Sequence, residues 1–174
     1  MRFILTCVSL LSALLLSPVS YAETDTSADS QGIPSDKSPA LSPVAAALSE
    51  LKPISGSFNP QAEYFIYVYS ASWCGPCRAV MPRIVRLYKD TLSKDKRIEI
   101  ILIDLDHTEE AAKNYIAHYD ANFFATMGRK SEVDHLPGAY QVRGIPHCIA
   151  VDKNGKRIFS GHAAVIFHNL GLLN

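Results

Sequence analysis

The sequence has no net charge: its 17 lysines and arginines are matched by 17 aspartates and glutamates over 174 residues. Without a basic surplus nothing is available to neutralise a phosphate backbone, which argues against a nucleic-acid partner. Cysteine is scarce, with four in all, too few for a disulfide scaffold. Long apolar runs are also missing, apart from one at the N-terminus, and no internal repeat is visible. What is present is a hydrophobic fraction of 48%, which excludes a wholly disordered chain and suffices for the core of one domain.

Residues 1–22 have the layout of a secretory signal. Arg2 supplies the positive end, residues 3–16 the apolar core, and Ser20-Tyr21-Ala22 a small-x-small cleavage pattern, with Pro18 breaking the helix just before it. Retention as a membrane anchor is the alternative, since the apolar stretch 3–19 is just short of a full span. Cys7 lies too early in that core to be a lipoprotein cysteine. Cleavage removes one positive charge, Arg2, leaving 16 basic against 17 acidic residues. Three cysteines remain, Cys74, Cys77 and Cys148, an odd set that suggests one redox pair and one spare thiol. The expected location is the periplasm or the exterior, with membrane contact only if the signal is kept.

Residues 23–43 are rich in Ser, Asp, Thr and Pro and read as a flexible linker. The globular domain is expected over 44–174. Within it, 44–51 suits a short helix ended by Pro53, and 64–70 (YFIYVYS) and 98–105 (IEIILIDL) are runs typical of strands buried on both faces. Between them, residues 75–92 place Val80, Ile84 and Leu87 at helical spacing. Residues 108–119 suit a second helix, capped by Thr108 or Asp106. Two such strands joined by a helix form a parallel, right-handed unit. Further on, 122–126 suits a short strand, 131–140 a partly helical segment interrupted by Pro137, and 146–151 and 156–160 a hairpin around Asp152-Lys153-Asn154-Gly155. Residues 163–173 are expected to close the chain as a helix. The fold class is α/β, a mixed central sheet with helices on both faces.

The sharpest motif is Trp73-Cys74-Gly75-Pro76-Cys77, set between a buried strand and a helix. Cys74 falls at the helix N-terminus, where unpaired N–H groups and the dipole favour a thiolate, and Arg78 adds positive charge. Pro76 is tolerated in the first turn. Cys77, three residues on, can close a disulfide with Cys74 across one turn. Cys74 is then the attacking sulfur and Cys77 the deeper, resolving one. Zinc is the competing use of such a pair, with His147 and Cys148 as further ligands, but no second Cys-x-x-Cys exists. A purely structural disulfide is the other, and a loop this short gains little from cross-linking.

The segment Ser70-Ala71-Ser72-Trp73-Cys74-Gly75-Pro76-Cys77 resembles the active site of the thioredoxins, Pro82 falls where they carry a helix-kinking proline, and Tyr140-Gln141-Val142-Arg143-Gly144-Ile145-Pro146 resembles the stretch ending in their cis-proline. The likeness runs from about Ala62 to the C-terminus. The longer stretch between Asp106 and Pro146, through Phe123-Phe124-Ala125, is similar to tryparedoxins, nucleoredoxins and bacterial periplasmic thioredoxin-like proteins. The resemblance implies a thioredoxin fold and a thiol-disulfide oxidoreductase with Cys74 and Cys77 as catalytic residues. It implies substrate contacts at Trp73, Ile145 and a cis Pro146, and no bound cofactor or metal. The implied partners are disulfide-containing or dithiol proteins and an upstream dithiol electron donor. Reduction of exported proteins is the implied direction; oxidase or isomerase action and a copper-handling module are the alternatives.

The chain departs from that family at two places. Val68 stands where thioredoxins bury an aspartate, and Leu102 where its lysine partner is expected. Water, Glu99 or Asp104 would then have to accept the proton of the deeper thiol. His147 follows the proline where threonine is usual; it either tunes the sulfurs or sits at the surface. Cys148 is expected to be a buried, inert thiol rather than a third redox sulfur. Phe123 and Phe124 are expected in the core rather than in a substrate groove. The other five histidines show no ligand spacing.

Overall fold

The two continuous apolar runs become the centre of a six-stranded sheet. Strand β2 (Tyr64–Ser70) and strand β3 (Ile98–Asp104) lie side by side in parallel, and every residue of both except Tyr64 is buried. The structure, a computed structural model, describes residues 40–129 and 133–173. The signal sequence expected over 1–22, residues 23–39 of the expected linker, and the start of the 131–140 segment lie outside the described residues.

The sheet order is β1-β4-β3-β2-β5-β6. Helix α2 (Gly75–Asp90) crosses from β2 to β3, and α3 (Glu109–Tyr119) from β3 to the parallel β4 (Phe124–Met127). Strand β5 (His147–Asp152) runs antiparallel to β2, and β6 (Arg157–His162) antiparallel to β5. Alternation sorts the side chains. Ile66, Val68, Ile100, Leu102, Cys148 and Ala150 meet Val80, Met81 and Ile84 of α2, together with α3 residues and Ile166 of α4 (Ile166–Asn169). Phe65, Tyr67, Ile101, Ile103 and Ile149 meet Val44, Ala45 and Leu48 of α1 (Pro43–Ser49). Helices thus cover both faces, because strands this apolar leave no face for water. Among the described residues no helix is long and apolar enough to cross a membrane.

Several expectations are corrected. Pro43 is the first residue of α1, with Ser42 as its cap, since a proline at N1 forfeits no helical hydrogen bond. Residues Pro53–Ser55 form β1, an edge strand on β4, where Pro53 can open a strand without breaking a ladder. Strand β4 begins two residues later than expected, and β6 extends to His162. The last segment is a 3₁₀ turn, the short α4 and a second 3₁₀ turn, not one helix. Its first turn is tied down by His162, whose Nδ1 accepts the Ala164 N–H at 3.2 Å.

After β4 the chain turns back over the α1 face through Val133 and Leu136, both buried. Gly138, at φ 77°, then packs against the β5–β6 turn, where an added Cβ would lie 2.3 Å from the Gly155 carbonyl. That contact leads residues 139–146 across the top of the sheet toward the cysteines.

Candidate active site

Strand β2 ends at Ser70, and three residues later the chain enters α2. Cys74 is the N-cap, in extended backbone geometry, and its Sγ accepts the Cys77 N–H at 3.2 Å. A helix N-terminus leaves such donors unpaired, so a sulfur there meets a partial positive charge. Cys74 and Cys77 are disulfide-bonded, with Cα atoms 5.2 Å apart. Cys77 is 0% exposed and Cys74 6%, so an attacking group from solvent reaches Cys74 first. Ala71, Leu105 and Ile145 pack around the pair.

The second wall is the Ile145–Pro146 peptide, which is cis. The Ile145 carbonyl oxygen lies 3.7 Å from Cys74 Sγ. Trp73 is 56% exposed and stacks on the His107 ring rather than packing into the core. Of the residues expected at the site, Cys74, Cys77 and Ile145 therefore sit together, Pro146 lies buried behind Ile145, and Trp73 stands at the rim. Pro82 lies inside α2 on its exposed side.

The positions beneath the motif are apolar. Val68 and Leu102 face each other across the β2–β3 ladder, both fully buried in apolar surroundings. Of the two carboxyls considered as substitutes, Glu99 pairs with Phe65 at the far end of the sheet, where it accepts the Asn59 N–H. Five strand positions, roughly 16 Å, separate it from Asp104. Asp104 pairs with Ser70, at the cysteine end. It is 0% exposed, and burial, aided by the nearby Asp106, pushes its carboxyl up to about 7. Its Oδ1 accepts the Asp106 N–H at 2.8 Å, while Oδ2 has no partner among the described residues. Beside it the Ser70 and Tyr115 hydroxyls are 2.9 Å apart, and burial pushes the Tyr115 phenol up to about 12.

Asp106 is the site residue that the sequence reading missed. It was a candidate cap for α3, but Thr108 does that work by accepting the Ala111 N–H at 3.2 Å. The Asp106 carboxylate instead accepts the Ser72 N–H at 3.1 Å and the Ser72 hydroxyl at 2.7 Å. It thereby fixes the residue just before Trp73 and Cys74. The only signal was an aspartate just past the end of a strand expected to lie parallel to the one before the motif.

His147 and Cys148 alternate to opposite sides of β5. Cys148 is 0% exposed, and burial pushes its thiol up to about 12, so it supplies no thiolate at neutral pH. His147 is half-buried, its Nε2 2.8 Å from the Tyr140 hydroxyl. Burial, with His162 adding to it, lowers its proton affinity. Phe123 and Phe124 are both in the core, on its two different sides. Among the described residues no group of three or more His, Cys, Asp or Glu side chains is placed to hold a metal ion.

The chain is similar to known proteins. The chain is 36% identical over 85 residues to the thiol-disulfide oxidoreductase ResA of Bacillus cereus, 49% of this chain and 46% of that protein. It is 34% identical over 99 residues to probable nucleoredoxin 1 of Arabidopsis thaliana, 56% of this chain and 17% of that protein. It thus spans less than half the length of these two curated relatives. Tryparedoxin II of C. fasciculata has a similar fold, with a TM-score of 0.58 at 24% identity over 74% of this chain and 91% of that one. The thioredoxin-like family model matches residues 62–157, more than half of the sequence. With the Cys74–Cys77 pair on a helix N-terminus facing a cis-proline in a mixed sheet, the chain belongs to the thioredoxin-like family.

Proposed function

We propose that the protein is a thiol-disulfide oxidoreductase that reduces disulfides of exported proteins. The observation that carries this reading is the seat of the Cys74–Cys77 disulfide: an N-cap sulfur held by the Cys77 N–H, the more accessible of the two, with the Ile145 carbonyl 3.7 Å away. In the dithiol form the Cys74 thiolate attacks one sulfur of a partner disulfide. A mixed disulfide forms and the first partner thiolate leaves. Cys77, deprotonated, then attacks Cys74 Sγ, releasing the second partner thiolate and leaving Cys74–Cys77 oxidised. Two electrons pass to the partner, and a dithiol protein upstream must return them. Asp104, at the cysteine end of the sheet and near neutral in proton affinity, is the carboxyl suited to take the Cys77 proton through water. The signal-like residues 1–22 support an exported, periplasmic setting for this exchange.

The test is a redox titration in thiol buffers, followed by the fluorescence of Trp73, the single tryptophan. A reversible two-electron transition is expected. A potential near about −270 mV supports the reducing direction, whereas one near about −120 mV would reverse it. With Cys77→Ser, a disulfide-containing peptide should remain trapped on Cys74. A pair that does not titrate reversibly and traps nothing overturns the exchange reading.

A further inference from the structure

Beside the cis-proline lies a groove of about 700 Å³ that extends away from the cysteines. Tyr140, Arg143, Ile145, Pro146, His147 and His162 are among its lining residues, and among the described residues none that lines it is acidic. Its floor follows from strand register. His147 on β5 and His162 on β6 are direct cross-strand partners, so both rings belong to the same face at the same level. The Tyr140 hydroxyl holds His147 Nε2 at 2.8 Å, and the Arg157 guanidinium lies 5.2 Å from the Tyr140 ring centroid, adding a further positive charge at the edge. His162 accepts the Ala164 N–H on Nδ1, so its own proton sits on Nε2, which remains a donor. Arg143 is exposed on the loop above. Asp134 lines a separate cavity, which shares only Tyr140 and Gln141 with this groove.

A groove walled by a guanidinium and two imidazoles, with no carboxylate of its own, complements negative charge. Its position says what carries that charge. The backbone of 144–146 forms part of the wall, and the Ile145 carbonyl is the group in contact with Cys74 Sγ. The groove thus adjoins the place where a partner disulfide would meet Cys74. We propose that this groove docks an acidic segment of the partner protein, with Arg143, His147 and His162 receiving its carboxylates. The identification of the docked molecule as a redox partner rests on the exchange reading; the binding itself does not.

The sign of the pH dependence follows. In the free protein burial, and then the His162 ring, lower the proton affinity of His147; the Tyr140 hydroxyl contacts its ring, Arg143 lines the same groove, and Arg157 lies against Tyr140. A carboxylate beside the His147 imidazole favours its charged form, so docking takes up a proton and tightens as pH falls.

The experiment is a fluorescence-anisotropy titration of the oxidised protein with a fluorescein-labelled, cysteine-free, glutamate-rich peptide and with its lysine-rich counterpart. The acidic peptide should bind at least about tenfold more tightly than the basic one. Its affinity should rise about threefold or more from pH 8 to pH 6. Arg143→Glu should weaken it about fivefold or more, whereas Arg143→Lys should retain most of it. His147→Gln should flatten the pH profile. Equal binding of the two peptides, or an acidic-peptide affinity indifferent to Arg143→Glu in a variant with native circular dichroism, overturns the proposal. Because neither peptide contains a thiol, the groove can fail while the redox titration succeeds, and the reverse.

Discussion

The carboxyl of Asp104 should make the protein less stable as pH rises, and one substitution should remove that effect. Asp104 is fully buried, has one oxygen without a partner among the described residues, and holds its proton up to about pH 7, against an ordinary value of 3.8. The folded state therefore binds the proton more tightly than the unfolded chain. Between these two values the native protein carries more protons, so stability falls with rising pH and levels off above pH 7. At about 1.4 kcal/mol for each tenfold change in proton affinity, the whole penalty is about 4 kcal/mol. Less than half of it is already present at pH 5, so about 2–3 kcal/mol develops between pH 5 and pH 8. Asp104→Asn has nearly the same shape, keeps an oxygen for the Asp106 N–H, and cannot ionise. Urea denaturation of the oxidised parent and variant should show the variant gaining on the parent by about 2–3 kcal/mol over that range. With a slope of about 2 kcal/mol per molar urea, this is a relative shift of about 1 M in midpoint. Other titrating groups cancel in the comparison. A difference between the two proteins that stays constant from pH 5 to pH 8 would refute the reasoning, because it would mean Asp104 does not change protonation on folding in that interval.

Two further outcomes follow from the same region. Asp106→Ala removes the acceptor of the Ser72 N–H and hydroxyl, and should cost about 2–3 kcal/mol in thermal or urea unfolding while slowing thiol exchange at Cys74. Asp106→Asn should restore part of both, and an exchange rate untouched by Asp106→Ala would show that the segment before Cys74 needs no such anchor. Cys148→Ala should leave the thiol reactivity of the native oxidised protein unchanged at pH 8. In denaturant the parent should then titrate one thiol more than the variant, whereas a native reactivity that is lower in the variant would contradict the burial of Cys148.

The strands and helices around the motif could be read from sequence because their causes are local. YFIYVYS and IEIILIDL have no polar face to offer water, so they had to become interior strands. Cys74-Gly75-Pro76-Cys77 carries its own geometry, a proline suited to a first helical turn and two sulfurs one turn apart. β1 was missed because Pro53–Ser55 has no pattern of its own; it exists only where the edge of β4 supplies partners. The C-terminal segment was misjudged because it is shaped by what Ala163, Ile166 and Leu173 must bury, not by its helical propensity.

Composition and spacing were enough to establish the α/β class and the pair of cysteines that carries the chemistry. Tertiary structure alone settled which polar groups attend the sulfurs. Glu99 and Asp104 are five residues apart on one strand, and only the parallel register with β2 places Asp104 at the cysteine end. Asp106 meets Ser72, and His147 meets His162 and Tyr140, across separations of 34, 15 and 7 residues that no local pattern encodes. A side chain's partners across a sheet depend on strand order and register, and these are chosen by the burial of the whole apolar set at once.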